Sequence, residues 1–299
     1  MIDTITTQTT WDYTLLDSGT GRRLEQWGQY RLIRPDPQAI WQPHLHSREW
    51  SKADASFEGR WQLRTKSPKQ WEILFPLPLN PGESVTGDWT LRITARLTPF
   101  KHTGIFAEQA ANWEWLKEQV AYLRTKTETV KPRILNLFGY TGAATALLAK
   151  LSCSVTHVDA SKPAIVWAKE NQSRNALAAD SVRWILDDAL KFVKREVKRG
   201  SVYDGILMDP PAFGHAPDGK TWKFADDFPR LLTEATALLS PDASFLLVNA
   251  YATNSSALAL HNVMQDLLPP KGTLQCGELC LQQQDGRLLS TGIVGRWNR

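Results

Sequence analysis

Two different rhythms of hydrophobic and polar positions divide the chain. From Arg133 onward, short apolar runs alternate with longer stretches whose apolar residues recur at helical spacing. The runs predict strands at 134–138, 155–158, 182–185, 203–208 and 244–248. The stretches between and after them predict helices over 142–151, 162–177, 189–198, 228–239 and around 255–268. Such alternation requires a mostly parallel sheet with helices on both faces, an α/β fold. Two last strands, near 273–281 and 289–296, have no helix between them and are expected to form a hairpin at the sheet edge. Just upstream, 112–125 has helical spacing, with Trp115, Leu116, Gln119, Tyr122 and Leu123 on one face. The first 98 residues differ. Short strands are expected at 29–34, 59–66, 71–77 and 89–97, split by turn signals such as Arg34-Pro35-Asp36-Pro37 and Asn80-Pro81-Gly82. The expected division is a β-rich domain over 1–98 and an α/β domain over 99–299.

Composition narrows the class. The 299 residues are 42% hydrophobic and 22% charged, which excludes a mostly disordered chain. No apolar run reaches the roughly 20 residues of a membrane span, and no signal peptide is recognised at the N-terminus, so a cytosolic protein is expected. Three cysteines (Cys153, Cys276, Cys280) are too few for a disulfide scaffold and fit a reducing compartment. The net charge of +4 permits an anionic partner without demanding one. Thirteen tryptophans are present, nine of them in the first 115 residues, and they are read as the core of a thin β domain. A stacking surface for bases or sugars is the alternative. Residues 1–98 carry 12 Lys and Arg against 11 Asp and Glu, so no strong funnel for nucleic acid is evident there.

The candidate chemistry lies at the ends of the parallel strands. The first ends in Asn136-Leu-Phe138-Gly139-Tyr140-Thr141-Gly142, a glycine turn between strand and helix where a ligand can approach the backbone. The second ends in Asp159, 20 residues after Gly139, where a carboxylate can accept from both ribose hydroxyls. The third ends in Asp187-Asp188-Ala189, offering a carboxylate and a backbone N–H to an adenine edge. Tyr140, Thr141 and Thr145 stand where a dinucleotide fingerprint would need other residues, and there is no P-loop. An adenosine ligand without a pyrophosphate, S-adenosylmethionine, is favoured. The fourth strand ends in Asp209-Pro210-Pro211-Ala212-Phe213. Proline has no N–H, so such a rigid tip offers acceptors only. Asp209 and the Pro210 carbonyl can hold an amino or ring N–H, and Phe213 can stack on the ring.

With these residues the chain resembles the class I S-adenosylmethionine-dependent methyltransferases. More narrowly, it resembles the family that includes the ribosomal RNA large-subunit methyltransferases modifying cytosine C5 and guanine N7. The resemblance rests on Thr103-Gly-Ile-Phe106-Ala-Glu-Gln109 with Asn112-Trp113, on 136–142, on Val158-Asp159-Ala160-Ser161, on 187–189 and on 209–214, spanning about two thirds of the chain. It implies a Rossmann-like seven-stranded methyltransferase sheet, to which the residue pattern adds a smaller β-rich N-terminal domain. It further implies that Phe106 and Gln109 close over the cofactor, that Asn136 and Gly139 hold the methionine tail, that Asp159 takes the ribose, and that Asp188 with Ala189 takes the adenine. Phe138, Tyr140, Thr141, Gly142, Ala160, Ser161 and Asp209 complete the expected cofactor shell, and Asp209, Pro210 and Phe213 are the expected catalytic residues. RNA is the implied partner, with RNA methylation and rRNA processing the implied roles.

Two departures qualify the resemblance. Members acting on cytosine C5 use a cysteine nucleophile after the fifth strand, but here 248–256 has none, and none flanks Asp209. A base nitrogen is therefore favoured over covalent C5 chemistry. The first 98 residues also lack a recognisable RNA-binding module. A protein or small-molecule acceptor, or a catalytically silent RNA-binding protein of the same fold, remains an alternative. Loop 214–224, with His215, Lys220, Trp222 and Lys223, is expected to contact the acceptor. His44 and His46 have no further Cys/His cluster in the sequence, so no metal is expected. Cys276 and Cys280 are read as core, and 191–199 as a solvated helix face.

Overall fold

The computed structural model describes residues 2–64, 69–77, 89–127, 131–215, 221–242 and 244–299. The chain forms two compact units. One comprises Met1–Ile5, Trp115–Leu279 and Gly292–Arg299, the other Thr6–Glu114 and Cys280–Thr291.

The first unit is built on a mixed sheet. Its strands run in the order Asp3–Ile5, Thr273–Gln282, Leu288–Asn298, Phe245–Ala250, Gly205–Met208, Arg133–Leu137, Ser154–Asp159, Val182–Leu186. The five strands from Phe245 to Val182 are mutually parallel, and Leu288–Asn298 runs antiparallel to Phe245–Ala250. The expected seven strands are all present, and the N-terminal Asp3–Ile5 adds an eighth, paired parallel to Gly277–Leu279. The last hairpin therefore does not end the sheet. From the central Arg133–Leu137 strand the chain first builds Ser154–Asp159 and Val182–Leu186 on one side, then Gly205–Met208 and Phe245–Ala250 on the other. That reversal opens a crevice at the carboxyl ends of the central strands.

Local signals explain the helices of this layer. Ser161 caps Lys162–Arg174 by accepting from the Ala164 N–H, Asp188 caps Ala189–Lys198 through the Lys191 N–H, and Ser256 caps Ala257–Leu267 through the Ala259 N–H. The core joins Leu135, Leu137, Val158, Ile206, Leu246 and Val248 of the sheet to Phe192, Phe228 and Leu231 of the helices. Full burial of each such side chain contributes about 1.5–3 kcal/mol. Helix Phe224–Thr236 starts four residues before its expected beginning and carries Pro229 inside it. Phe224 and Phe228 stack at 4.8 Å, so packing outweighs the hydrogen bond that proline removes.

The second unit holds a five-stranded sheet, Tyr13–Gly19, Arg22–Trp27, Tyr30–Pro35, Ala55–Phe57 and Trp61–Leu63, and a two-stranded sheet, Gln70–Pro76 with Thr90–Arg96. The strand expected over 59–66 spans only Trp61–Leu63, and 65–66 lie outside the described residues. Trp11, Trp27 and Trp113 are buried with Tyr13 and Phe75, ring centroids 4.7 to 6.4 Å apart and mostly edge to face.

A buried ionic cluster sits in the same unit. Glu25 accepts from Tyr13 Oη at 3.0 Å and from Arg34 Nε at 2.6 Å, with Arg23 Nε 3.3 Å away. Burial pushes the Glu25 carboxyl up, but Arg23 and Arg34 together with these hydrogen bonds bring it down to about 2. A carboxyl lowered by folding stabilises the protein above its ordinary value of 4.5, and this contribution is lost as pH falls from 4.5 through about 2. Glu25→Gln leaves the buried Arg34 guanidinium without its carboxylate and Arg23 with Asp36 alone. It should destabilise this unit by about 3–5 kcal/mol, read as a shift in the denaturant midpoint.

Candidate active site

The crevice is lined by a backbone turn of unusual geometry. Phe138 (φ 57°), Tyr140 (φ 49°) and Gly142 (φ 76°) all adopt left-handed conformations, two of them without the freedom of glycine. The turn is held from three sides. The Asp159 carboxylate accepts from the Tyr140 N–H at 2.8 Å and from the Ser161 N–H at 2.7 Å. The Thr141 carbonyl accepts from Asn171 Nδ2 at 2.9 Å. Beneath it, Asn136 Nδ2 donates to Thr145 Oγ1 at 2.9 Å, and Thr145 Oγ1 lies 2.8 Å from His157 Nδ1.

His157 was not singled out in the sequence, yet it explains one of the glycines. A Cβ on Gly139 would lie 2.3 Å from His157 Cε1, and one on Gly142 would lie 2.6 Å from Ala168 Cβ. Packing alone therefore demands glycine at both positions. Burial holds the His157 imidazole neutral, lowering its pKa to about 3. No hydrogen-bond partner of its Nε2 is found among the described residues. The only sequence signal was a histidine inside the apolar run of 155–158.

The other strand tips converge on the same edge. Burial raises the Asp159 carboxyl above its ordinary range, against the two backbone N–H bonds that lower it. Asp187 accepts from the Asp188 N–H and pairs with Arg195, while Asp188 Oδ1 caps the following helix at 2.8 Å from the Lys191 nitrogen. Ala189 is buried, whereas Ala160 and Ser161 are exposed. On the other side of the central strand, the Asp209 N–H donates to the Leu137 carbonyl at 3.4 Å. Pro210 is buried and Phe213 is 56% exposed. The structure thus gathers Asn136, 138–142, 159–161, 188–189 and 209–213 along one sheet edge. Phe106 and Gln109 belong to the other unit. There Phe106 lies 5.3 Å from the His102 ring, and Gln109 Oε1 accepts from Asn112 Nδ2.

Residues 213–215 and 221–223 pair as a two-stranded hairpin rather than an open loop, and Lys220 lies outside the described residues. Within it the Trp222 Nε1–H donates to the Pro211 carbonyl at 2.7 Å, and the ring packs 5.5 Å from Phe138. It ties the Asp209-Pro-Pro tip to the glycine turn. Trp222→Phe keeps the ring and deletes the donor. Loss of one hydrogen bond of about 1 kcal/mol should lower kcat about fivefold, with S-adenosylhomocysteine affinity unchanged in calorimetry.

The donor set can be tested for fit. The turn over 136–142 contains no Lys or Arg, so nothing there neutralises a phosphate. It offers backbone groups and an amide, flanked by a carboxylate at the next strand tip. These groups fit a nucleoside with a zwitterionic tail. Fold and site together define an α/β enzyme for an adenosine cofactor that carries no phosphate.

The comparisons name the family. The family model described as S-adenosylmethionine-dependent methyltransferase matches residues 49–266, and the chain belongs to that family. The solved S-adenosylmethionine-dependent methyltransferase of Agrobacterium tumefaciens is 39% identical, with a TM-score of 0.88 over 99% of this chain and 93% of that one. The solved methyltransferase SMU.776, complexed with SAH, is 15% identical and has a TM-score of 0.70 over 98% of this chain and 76% of its own, a likeness of fold. Among curated relatives, the ribosomal RNA large subunit methyltransferase K/L of Shewanella sp. strain MR-4 is 29% identical over 189 residues, 62% of this chain. The chain spans about a quarter of the length of the curated relatives it matches. No helix among the described residues is long and apolar enough to cross a membrane.

Proposed function

We propose that the protein methylates RNA, at a base nitrogen and in ribosomal RNA first of all. The observation that carries this reading is the Asp209-Pro210-Pro211 tip beside the exposed Phe213. The indole of Trp222 takes the Pro211 carbonyl. The Asp209 carboxylate and the Pro210 carbonyl are the acceptors assigned to an amino or ring N–H of the target base. Phe213 supplies an exposed ring for stacking. The rRNA large-subunit relatives support the choice of acceptor.

In this reading Asn136 and the 138–142 turn hold the methionine tail, Asp159 takes the ribose hydroxyls, and Asp188 with Ala189 takes the adenine. Ala160 and Ser161 flank the ribose, and Phe106 and Gln109 are assigned to the cofactor by the resemblance. The bound cofactor supplies a methyl group already activated on a sulfonium. Asp209 and Pro210 then have one task, to aim the nitrogen lone pair along the line of displacement at about 3–3.5 Å. The nitrogen's proton leaves after transfer. Covalent attack on cytosine is disfavoured, because Cys153, Cys276 and Cys280 are all buried and burial pushes the first two thiols up to about 12.

The test is transfer of label from methyl-tritiated S-adenosylmethionine into an extract of cells lacking the protein, followed by ribonuclease or protease. The expected result is label that ribonuclease releases and that Asp209→Ala abolishes. Label released by protease, or no transfer despite tight cofactor binding, overturns the RNA reading.

A further inference from the structure

We propose that the second unit carries a docking surface for single-stranded RNA, formed by the hairpin Ala55–Phe57 with Trp61–Leu63 and by Phe100. This rests on the RNA reading above and adds a binding surface remote in sequence from the strand-tip residues.

Trp61–Leu63 is the edge strand of its sheet, and Phe57 faces Trp61 across the hairpin with ring centroids 5.4 Å apart. Trp61 Nε1 donates to the Phe100 backbone carbonyl at 2.9 Å, which ties the indole to the segment that carries Phe100, a residue 70% exposed. Leu63, on the Trp61 face of the strand, is 47% exposed. These side chains are not absorbed by the core that buries Trp11, Trp27 and Trp113. They offer π-faces of the kind on which unpaired bases stack without regard to sequence.

The charges around the patch select the occupant. Arg60 and Arg64 bracket the edge strand and are exposed. A third exposed cation, Lys69, has its backbone carbonyl bonded to the Leu97 N–H, three residues before Phe100. The carboxylates over the same stretch are Asp54, whose Oδ2 accepts from the Arg31 N–H at 2.8 Å, and Glu58, whose Oε2 accepts from Gln62 Nε2 at 3.1 Å. Three cations against two carboxylates that are already engaged, interleaved with aromatic rings, suit a polyanion with stacking faces. An acidic peptide would use the cations and leave the rings wet.

The test is fluorescence anisotropy of the full chain with a 5′-fluorescein-labelled, random-sequence 12-nucleotide RNA. Phe100→Ser and Trp61→Ala should each weaken binding about tenfold. Arg60→Gln with Arg64→Gln should reduce the slope of log affinity against log salt by about 1.4. S-adenosylhomocysteine binding should stay unchanged in every variant. Phe100→Ser guards against loss of folding, since that ring is exposed. Three outcomes overturn the proposal: variants that bind RNA like the parent, a parent that binds S-adenosylhomocysteine but not RNA, or a dimer that Phe100→Ser dissociates. If the tritium label goes to protein while the patch still binds RNA, the acceptor reading fails and the surface stands.

Discussion

Asp159→Asn is expected to weaken S-adenosylhomocysteine binding about 10- to 100-fold while the protein still folds, as read by calorimetry. The carboxylate already accepts two backbone N–H groups, from Tyr140 and Ser161. An asparagine has one carbonyl oxygen and can serve only one of them well. The other N–H then faces an amide donor, and the turn that bears Phe138 and Tyr140 in left-handed geometry loses a clamp. On the proposed reading the ribose loses a charged acceptor as well. Hydrogen bonds to charged groups are worth about 1.5–3 kcal/mol, which sets the expected range. An Asp159→Asn protein that binds as tightly as the parent would remove Asp159 from the cofactor site.

The pH dependence of the same residue gives a second, opposite reading. Burial raises the folded-state carboxyl above its ordinary 3.8. A carboxyl that folding raises holds its proton more firmly in the folded protein, so its own contribution to stability improves as pH falls through the raised value toward 3.8. On the proposed reading, ribose binding needs the ionised form and weakens over the same interval. The difference between parent and Asp159→Asn isolates this group from Glu25, whose contribution is lost from pH 4.5 through about 2 but is common to both proteins and cancels. Expected are a stability difference and an affinity difference that move in opposite directions across one window.

The central parallel strands could be read from the sequence because both of their faces are buried, so Phe245 to Val248 stand as an unbroken apolar run and Ile134, Leu135 and Leu137 as one interrupted by Asn136. Strand-tip residues followed from those boundaries. What escaped detection depended on partners far away in the chain. Asp3–Ile5 has too little pattern to be a strand alone. It pairs beside Gly277, where a Cβ would come within 2.2 Å of the Asp3 carbonyl oxygen. The hairpin Tyr13–Gly19 with Arg22–Trp27 was hidden because Asp17, Arg23 and Glu25 are charged yet buried, which breaks the alternation that marks a half-buried strand. The helix expected over 228–239 begins at Phe224, which makes Pro229 an interior residue. Gly139 pointed to a ligand, but the buried His157 ring already requires it. The direction of Trp222 was set by the Pro211 carbonyl and the Phe138 ring, neither of which periodicity reveals.

Asp209→Asn is expected to lower kcat for RNA about 100- to 1000-fold, with S-adenosylhomocysteine affinity within about threefold of the parent. On the proposed reading, the size follows from the loss of one preorganised electrostatic contact at the reacting atoms. The separation of kcat from cofactor affinity follows from geometry. Asp209 is anchored through its backbone N–H to the Leu137 carbonyl, and the tip is anchored through Trp222 to Pro211. Neither anchor uses the Asp209 carboxylate, so an amide of the same shape leaves both in place. What changes is the polarity offered to the acceptor: one oxygen becomes an NH2 that repels the N–H it should receive. If Asp209 instead held the cofactor, the same substitution would raise the S-adenosylhomocysteine Kd in step with Asp159→Asn. Single-turnover transfer at saturating cofactor separates the two cases, since excess cofactor rescues a binding defect and leaves a positioning defect untouched.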